Sequence, residues 1–152
     1  MRVAVAFDHR GVKLRDAVLG AVVAAGHHAL DLGVDTDAVR VDYPDLARDV
    51  GEAIRAGNAQ RGVLVCGSGV GASVAACKID GIRAAICHDS YSAHQGVEHD
   101  DMNVLCLGSE IVGGALAAEL VATFLRATFM NEGRYAARLD KVHALERESW
   151  NG

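Results

Sequence analysis

Gly62-Val63-Leu64-Val65-Cys66-Gly67-Ser68-Gly69-Val70-Gly71-Ala72-Ser73 decides how this chain is read. Four apolar residues, two of them valine, end in a cysteine, three glycines fall within the next five positions, and Val74-Ala75-Ala76-Cys77-Lys78 follows with helical composition. That order describes a buried strand emptying through a glycine turn into a helix. Glycines let backbone N–H groups approach a ligand closely, and the helix adds its positive end, so the stretch predicts an anion cradle. A thiol at the strand's edge faces that positive end, which would favour its reactive form.

Working outward, the same unit recurs. Arg2 to Phe7 reads as a first strand, closed by Asp8-His9-Arg10-Gly11, with a helix from Val12 to Gly26. His27 to Gly33 is a second strand. Tyr43-Pro44 opens a second helix ending at Gly57, with its proline in the first turn, where a missing N–H costs nothing. After the glycine turn a third helix runs to about Ile79, Ile82 to Cys87 is strand four, and His88 to Val97 is a polar loop with a short helix. A polar turn, Glu98-His99-Asp100-Asp101-Met102-Asn103, precedes strand five at Val104 to Leu107. A long helix from Ile111 to Phe129 and a last one from Tyr135 to Glu148 complete the chain.

Short, wholly apolar strands alternating with helices predict a parallel sheet covered on both faces. The expectation is an α/β three-layer αβα sandwich with five parallel strands in the order 2-1-3-4-5, doubly wound in the Rossmann or flavodoxin manner, plus an extra C-terminal helix. Strands 1 and 3 are then neighbours whose helices leave to opposite faces. Ligands bind at such a split, so Asp8-His9 should meet Cys66 to Gly71.

Composition narrows the function classes. The chain has 152 residues, 51% of them hydrophobic, enough for one domain spanning 1–152. A net charge of −5 without a basic run gives no nucleic-acid footprint. Glu119 and Arg126 interrupt the longest apolar segment, so no membrane span is expected. Four cysteines inside apolar runs, with no C-x-x-C pair, imply reduced thiols in a cytoplasm and no metal site. Cys77, Cys87 and Cys106 read as core residues, and Arg10, Lys13 and Arg15 as a solvated face.

A thiol beside an amide-lined cavity, with a histidine and carboxylates at the same edge, suits chemistry that moves a proton while charge develops on oxygen. A cysteine phosphatase would need an arginine where this chain has Ala72. A flavodoxin would need a hydroxyl-rich loop in place of Asp8-His9-Arg10-Gly11, and a receiver domain a phosphorylatable aspartate in place of Cys66. A redox thiol protein would need a resolving cysteine nearer than Cys77.

The motifs together resemble the type B ribose-5-phosphate isomerases, grouped with the allose- and galactose-6-phosphate isomerases. The likeness rests on Asp8-His9-x-Gly11, Asp42-Tyr43-Pro44, Cys66-Gly67-Ser68-Gly69-Val70-Gly71, Ala75-Ala76-x-Lys78, Gly81-Ile82-Arg83-Ala84, Tyr91-Ser92-Ala93, His99, Asn103-Val104-Leu105, and Gly133-Arg134 with Arg138. The resemblance implies aldose–ketose isomerisation through an enediolate, without metal or cofactor. It implies Cys66 as the base between C1 and C2, Ser68 as the hydroxyl proton shuttle and His99 as the ring-opening group. Gly67, Gly69 and Gly71 would form the anion hole, and Asp8 and Tyr43 would hold sugar hydroxyls. His9, Arg134 and Arg138 would take the phosphate, the two arginines coming from a neighbouring subunit. A homodimer or homotetramer with shared sites, its 134–148 helix packed on a partner, follows from the same likeness.

Two positions depart from that pattern. Asp100 stands where an asparagine usually helps stabilise the enediolate, and Glu110 where an arginine often touches phosphate. Ribose 5-phosphate remains the first expected substrate. Another aldose phosphate, such as allose 6-phosphate or a four-carbon sugar phosphate, a free sugar, or a non-catalytic sugar-phosphate binder are the alternatives.

Overall fold

The computed structural model describes residues 1–150, with Trp150 described by its backbone alone. Five parallel strands, β1 (Arg2–Phe7), β2 (His28–Asp31), β3 (Arg61–Cys66), β4 (Ala84–Ile86) and β5 (Val104–Gly108), form one sheet. The helices are α1 (Arg15–Ala24, entered through a 3-10 turn at Gly11–Leu14), α2 (Tyr43–Arg55), α3 (Val70–Ala76), α4 (Ser90–Asp100), α5 (Gly114–Arg126) and α6 (Gly133–Trp150).

The expected α/β sandwich is present, with one correction. The strand order is β2-β1-β3-β5-β4, so the last two strands exchange places relative to 2-1-3-4-5. Burial explains the exchange. All five residues of β5 are buried, whereas the three of β4 are only partly so. A strand shielded on both faces and paired on both sides belongs in the interior, and a short, half-exposed one at the edge.

The order also sorts the helices. Right-handed crossovers put α1 and α4, whose connections run toward β2, on one face, and α2 and α3 on the other. The contacts agree, since α1 and α4 both pack on α5 while α2 packs on α3. Strand residues divide by parity. Val3, Val5, Phe7, Val63, Val65, Leu105 and Leu107 feed the core under α1, α4 and α5. Ala4, Ala6, Leu64, Cys66, Val104 and Cys106 feed the core under α2 and α3.

Other differences are local. Glu98-His99-Asp100 is the last turn of an eleven-residue helix rather than a loop, because Asp89 caps α4 by accepting the Ser92 N–H at 2.7 Å and Asp101 closes it in the left-handed region at φ 50°. Helix α3 stops at Ala76, short of Ile79, with Gly81 in the left-handed region at φ 80° before β4. Cys77 is exposed rather than buried, because it caps α3 and its thiol donates to the Ala84 carbonyl at 3.1 Å. Cys87 and Cys106 are core residues, and burial pushes both thiols upward, Cys87 to about 11.

Candidate active site

Parallel pairing sets β1, β3 and β5 side by side with Phe7 opposite Val65 and Cys66 opposite Gly108. The three loops leaving those strands therefore start level, and short bonds tie them together. The Asp8 N–H donates to the Val65 carbonyl at 3.1 Å, the Ser109 N–H to the Cys66 carbonyl at 2.9 Å, and the Glu110 N–H to the Gly67 carbonyl at 2.9 Å. Close approach excludes side chains at the seams. A Cβ on Gly11 would fall 2.1 Å from the Val65 carbonyl oxygen, and one on Gly108 would fall 2.6 Å from the Ser68 carbonyl.

Cys66 is 5% exposed, at the top of the core under α2 and α3. Its Sγ accepts the Gly69 N–H at 3.2 Å, so the sulfur is turned into the glycine turn. Gly69 makes that possible by taking φ 82°, a left-handed conformation disfavoured for other residues. Ser68 is exposed, and its Oγ accepts the Val70 N–H at 3.3 Å. The ring of Tyr43, 40% exposed, lies over Gly71 so closely that a Cβ there would come within 2.6 Å of it.

Asp8 is 4% exposed, and its Oδ1 accepts the N–H groups of Arg10 at 2.9 Å and Gly11 at 2.8 Å, which shapes the β1 loop. His9 accepts the Val41 N–H on Nδ1 at 3.3 Å and lines a cleft of about 510 Å³ with Arg10, Lys13, Thr36 and Glu110. Asp8, His9, Tyr43, Cys66, Gly67, Ser68, Gly69 and Gly71 thus share one edge of the sheet.

His99, Asp100, Arg134 and Arg138 do not. Helix α4 starts after β4, at the same edge as Cys66, and its eleven residues carry the chain about 16 Å back toward the start of β5. His99 lies in the last turn, its ring 4.6 Å from that of Tyr135 on α6. The guanidinium groups of Arg134 and Arg138 lie 5.2 Å and 5.3 Å from the same Tyr135 ring. A second constellation, histidine, tyrosine and two exposed arginines, therefore sits at the far edge of the chain. Tyr135, its organising ring, carries no sequence signal beyond its place next to Arg134.

Further contacts brace this edge. His88 accepts the Gly108 N–H on Nε2 at 2.9 Å, reaching from the edge strand to the residue opposite Cys66. The Ser109 hydroxyl donates to the Arg10 carbonyl at 2.7 Å. Lys13, expected on a solvated face, pairs with Glu110 at 2.8 Å, and Arg15 pairs with Asp31. The Lys13 ammonium, with a smaller contribution from Arg10, holds the Glu110 carboxyl below the usual carboxylate range. No sequence pattern joins residues 97 positions apart into such a pair. Among the described residues, no group of three or more His, Cys, Asp or Glu side chains is gathered to hold a metal ion.

This edge can present a sulfur, a hydroxyl, a carboxylate and backbone donors to one small ligand. Known proteins share the whole framework. Residues 3–142 match the family model described as Ribose/Galactose Isomerase. Ribose-5-phosphate isomerase B of Escherichia coli is 38% identical over 96% of this chain and 97% of its own length. D-erythrulose-4-phosphate isomerase of Pectobacterium atrosepticum is 32% identical over 97% of each. The solved structure of Clostridium thermocellum ribose-5-phosphate isomerase B superposes with a TM-score of 0.92 at 39% identity, covering 98% of this chain and 99% of that one. A match along nearly the full length, in sequence and in coordinates, leaves no part of the fold unaccounted for: the chain belongs to the ribose/galactose isomerase family, with the type B ribose-5-phosphate isomerases, and is an aldose–ketose isomerase acting on a sugar phosphate.

Proposed function

We propose that the reaction is the interconversion of ribose 5-phosphate and ribulose 5-phosphate, with Cys66 as the base. The observation that carries this reading is the Cys66 sulfur held in the glycine turn by the Gly69 N–H, with Asp8 and Tyr43 beside it. As a thiolate, Cys66 takes the proton from C2 of the open-chain aldose and returns it to C1. Between the two steps, negative charge on the enediolate oxygens meets backbone donors of the turn, which need no reorganisation as charge develops. The exposed Ser68 hydroxyl moves the proton between O1 and O2. Asp8 keeps one carboxylate oxygen for the loop N–H groups and offers the other to a sugar hydroxyl, and Tyr43 covers the opposite side.

His99, as the ring-opening group, and Arg134 and Arg138, as phosphate ligands, act in this reading across a subunit boundary. The far-edge constellation of one chain docks on the Cys66 edge of another, and a two-fold axis then builds two identical sites. Charge supports the pairing. The cleft beside the Cys66 turn carries the exposed Asp35 and Asp37 as well as Arg10 and the Lys13–Glu110 pair, while the far edge presents two exposed arginines. Asp100, next to His99, enters with it. Four unpaired thiols suit a reducing cytoplasm.

A four-carbon sugar phosphate is the second reading. It is favoured by the relative named D-erythrulose-4-phosphate isomerase. Incubating wild-type protein with aldose phosphates of four to six carbons in deuterated solvent, and following the C2 proton by NMR, distinguishes the substrates. Exchange should be fastest with ribose 5-phosphate. Cys66→Ala should lower turnover at least about a thousandfold at unchanged melting temperature. Retained exchange in that variant rules out the thiol as base.

A further inference from the structure

The Arg10 guanidinium is held over the Cys66 turn. The Arg10 backbone is fixed on both sides, by the N–H bond to Asp8 Oδ1 at 2.9 Å and by the Ser109 hydroxyl on its carbonyl at 2.7 Å. Its side chain is exposed but lies back over the turn. A Cβ on Gly67 would lie 2.2 Å from Arg10 Cζ, 2.3 Å from Nη1 and 2.6 Å from Nε. Gly67 is not among the glycines with positive φ, so the backbone there does not demand glycine. What lies closest is the guanidinium, the end of a flexible side chain resting on the glycine.

No described protein atom accepts a hydrogen bond from that guanidinium, although it lines the cleft of about 510 Å³ with His9, Lys13 and Glu110. Lys13 is engaged by Glu110 at 2.8 Å. Arg10 helps to hold the Glu110 carboxyl below its usual range, but the short ion pair of that carboxylate goes to Lys13, so among the described residues the Arg10 fork makes no direct bond to a carboxylate. Its planar fork of donors suits a phosphate group, which accepts two parallel N–H bonds.

We propose that Arg10 is a specificity-determining substrate residue, whose guanidinium, braced on Gly67, receives the phosphate of the sugar phosphate beside His9. The exposed carboxylates of Asp35 and Asp37 line the same cleft, so a bound anion is drawn to the Arg10 side of it. The assignment deepens the sugar-phosphate reading and rests on it for the identity of the ligand.

Two measurements test it, one of which needs no catalysis. Binding of inorganic phosphate, followed by 31P NMR titration, should weaken about tenfold or more in Arg10→Ala and by less in Arg10→Lys, which keeps the charge and loses the fork. With whichever aldose phosphate wild type converts, Arg10→Ala should raise KM by a similar factor and leave kcat within about threefold, whereas a merely structural part in holding the turn would lower kcat. Gly67→Ala should weaken phosphate binding in the wild-type background and add nothing to Arg10→Ala, because its Cβ displaces the same group. Equal phosphate binding by wild type and Arg10→Ala, or none by wild type, overturns the proposal. Loss of phosphate affinity in Arg10→Ala, with no C2 exchange on any aldose phosphate by wild type, would refute the substrate reading and leave Arg10 as an anion ligand.

Discussion

The two edges of the sheet are built on different terms. At the Cys66 edge, backbone donors and acceptors from three loops lock onto one another, and each seam excludes a side chain, so the positions of Cys66, Ser68 and Asp8 follow from the strands beneath them. At the other edge, His99, Tyr135, Arg134 and Arg138 meet through ring and cation contacts on two helices, with both arginines exposed. The first is a finished surface. The second is a set of side chains on two helices, Arg134 bonded to the Tyr135 hydroxyl at 3.2 Å, and in the proposed reading it completes the site of a neighbouring chain.

Separating the two edges onto different chains gives the largest effect. Cys66→Ala and His99→Ala should each be inactive alone. After subunit exchange in an equal mixture, half of the dimers are mixed, and each mixed dimer keeps one site with both wild-type residues. About one quarter of wild-type activity should return. Recovery of nothing, with exchange verified by mass spectrometry, would place both residues in one chain's site or remove one from the reaction.

Stability should divide along the same line. Gly11→Ala drives a Cβ to 2.1 Å from a backbone carbonyl oxygen that cannot move without disturbing the β1–β3 ladder. A loss of about 3 kcal/mol or more is expected, lowering the melting temperature by about 10 °C. His99→Ala removes one half-buried ring contact and should lower stability by less than about 1 kcal/mol. Equal melting temperatures for the two variants would show that the Cys66 edge is not the rigid one.

The difference between the edges also explains what could be read from sequence. The Cys66 edge was legible because strand parity, glycine spacing and the doubly wound rule act on contiguous residues and on strands 1 and 3, whose adjacency the topology dictates. The exchange of β4 and β5 was not legible from the apolar runs alone. Apart from Arg83, Ile82 to Cys87 is as apolar as Val104 to Leu107, and only the pairing shows that three of its residues form the edge strand. Arg10 read as one of three basic residues opening a helix, and nothing local distinguishes it from Lys13 and Arg15. Their partners, Glu110 after β5 and Asp31 at the end of β2, lie far away in sequence, and the lack of such a short ion pair is what separates Arg10 from them. The far-edge cluster was hidden because Glu98-His99-Asp100 is too polar to show a helical period, and its helix is set instead by caps at Asp89 and Asp101.

The smallest effect concerns the floor beneath Cys66. His88 Nε2 accepts the Gly108 N–H, so the bond exists only while that nitrogen is unprotonated. Burial lowers the His88 pKa from its ordinary value, with Asp89 partly opposing the shift. A base whose pKa is lower in the folded state than in the unfolded state leaves the unfolded chain binding more protons between the two values. The His88 contribution is therefore fully present above about pH 6.5 and is lost as the pH falls through the lowered folded value. Melting temperature should drop by a few degrees over that window. His27, whose pKa is also lowered, titrates in the same direction, so the diagnostic quantity is the difference from His88→Gln, which offers a carbonyl to Gly108 without a titrating ring. That variant should show a shallower acid limb. An identical limb in both proteins would mean that the Gly108 N–H has another acceptor in acid, and that the loop opposite Cys66 is held by its backbone bonds alone.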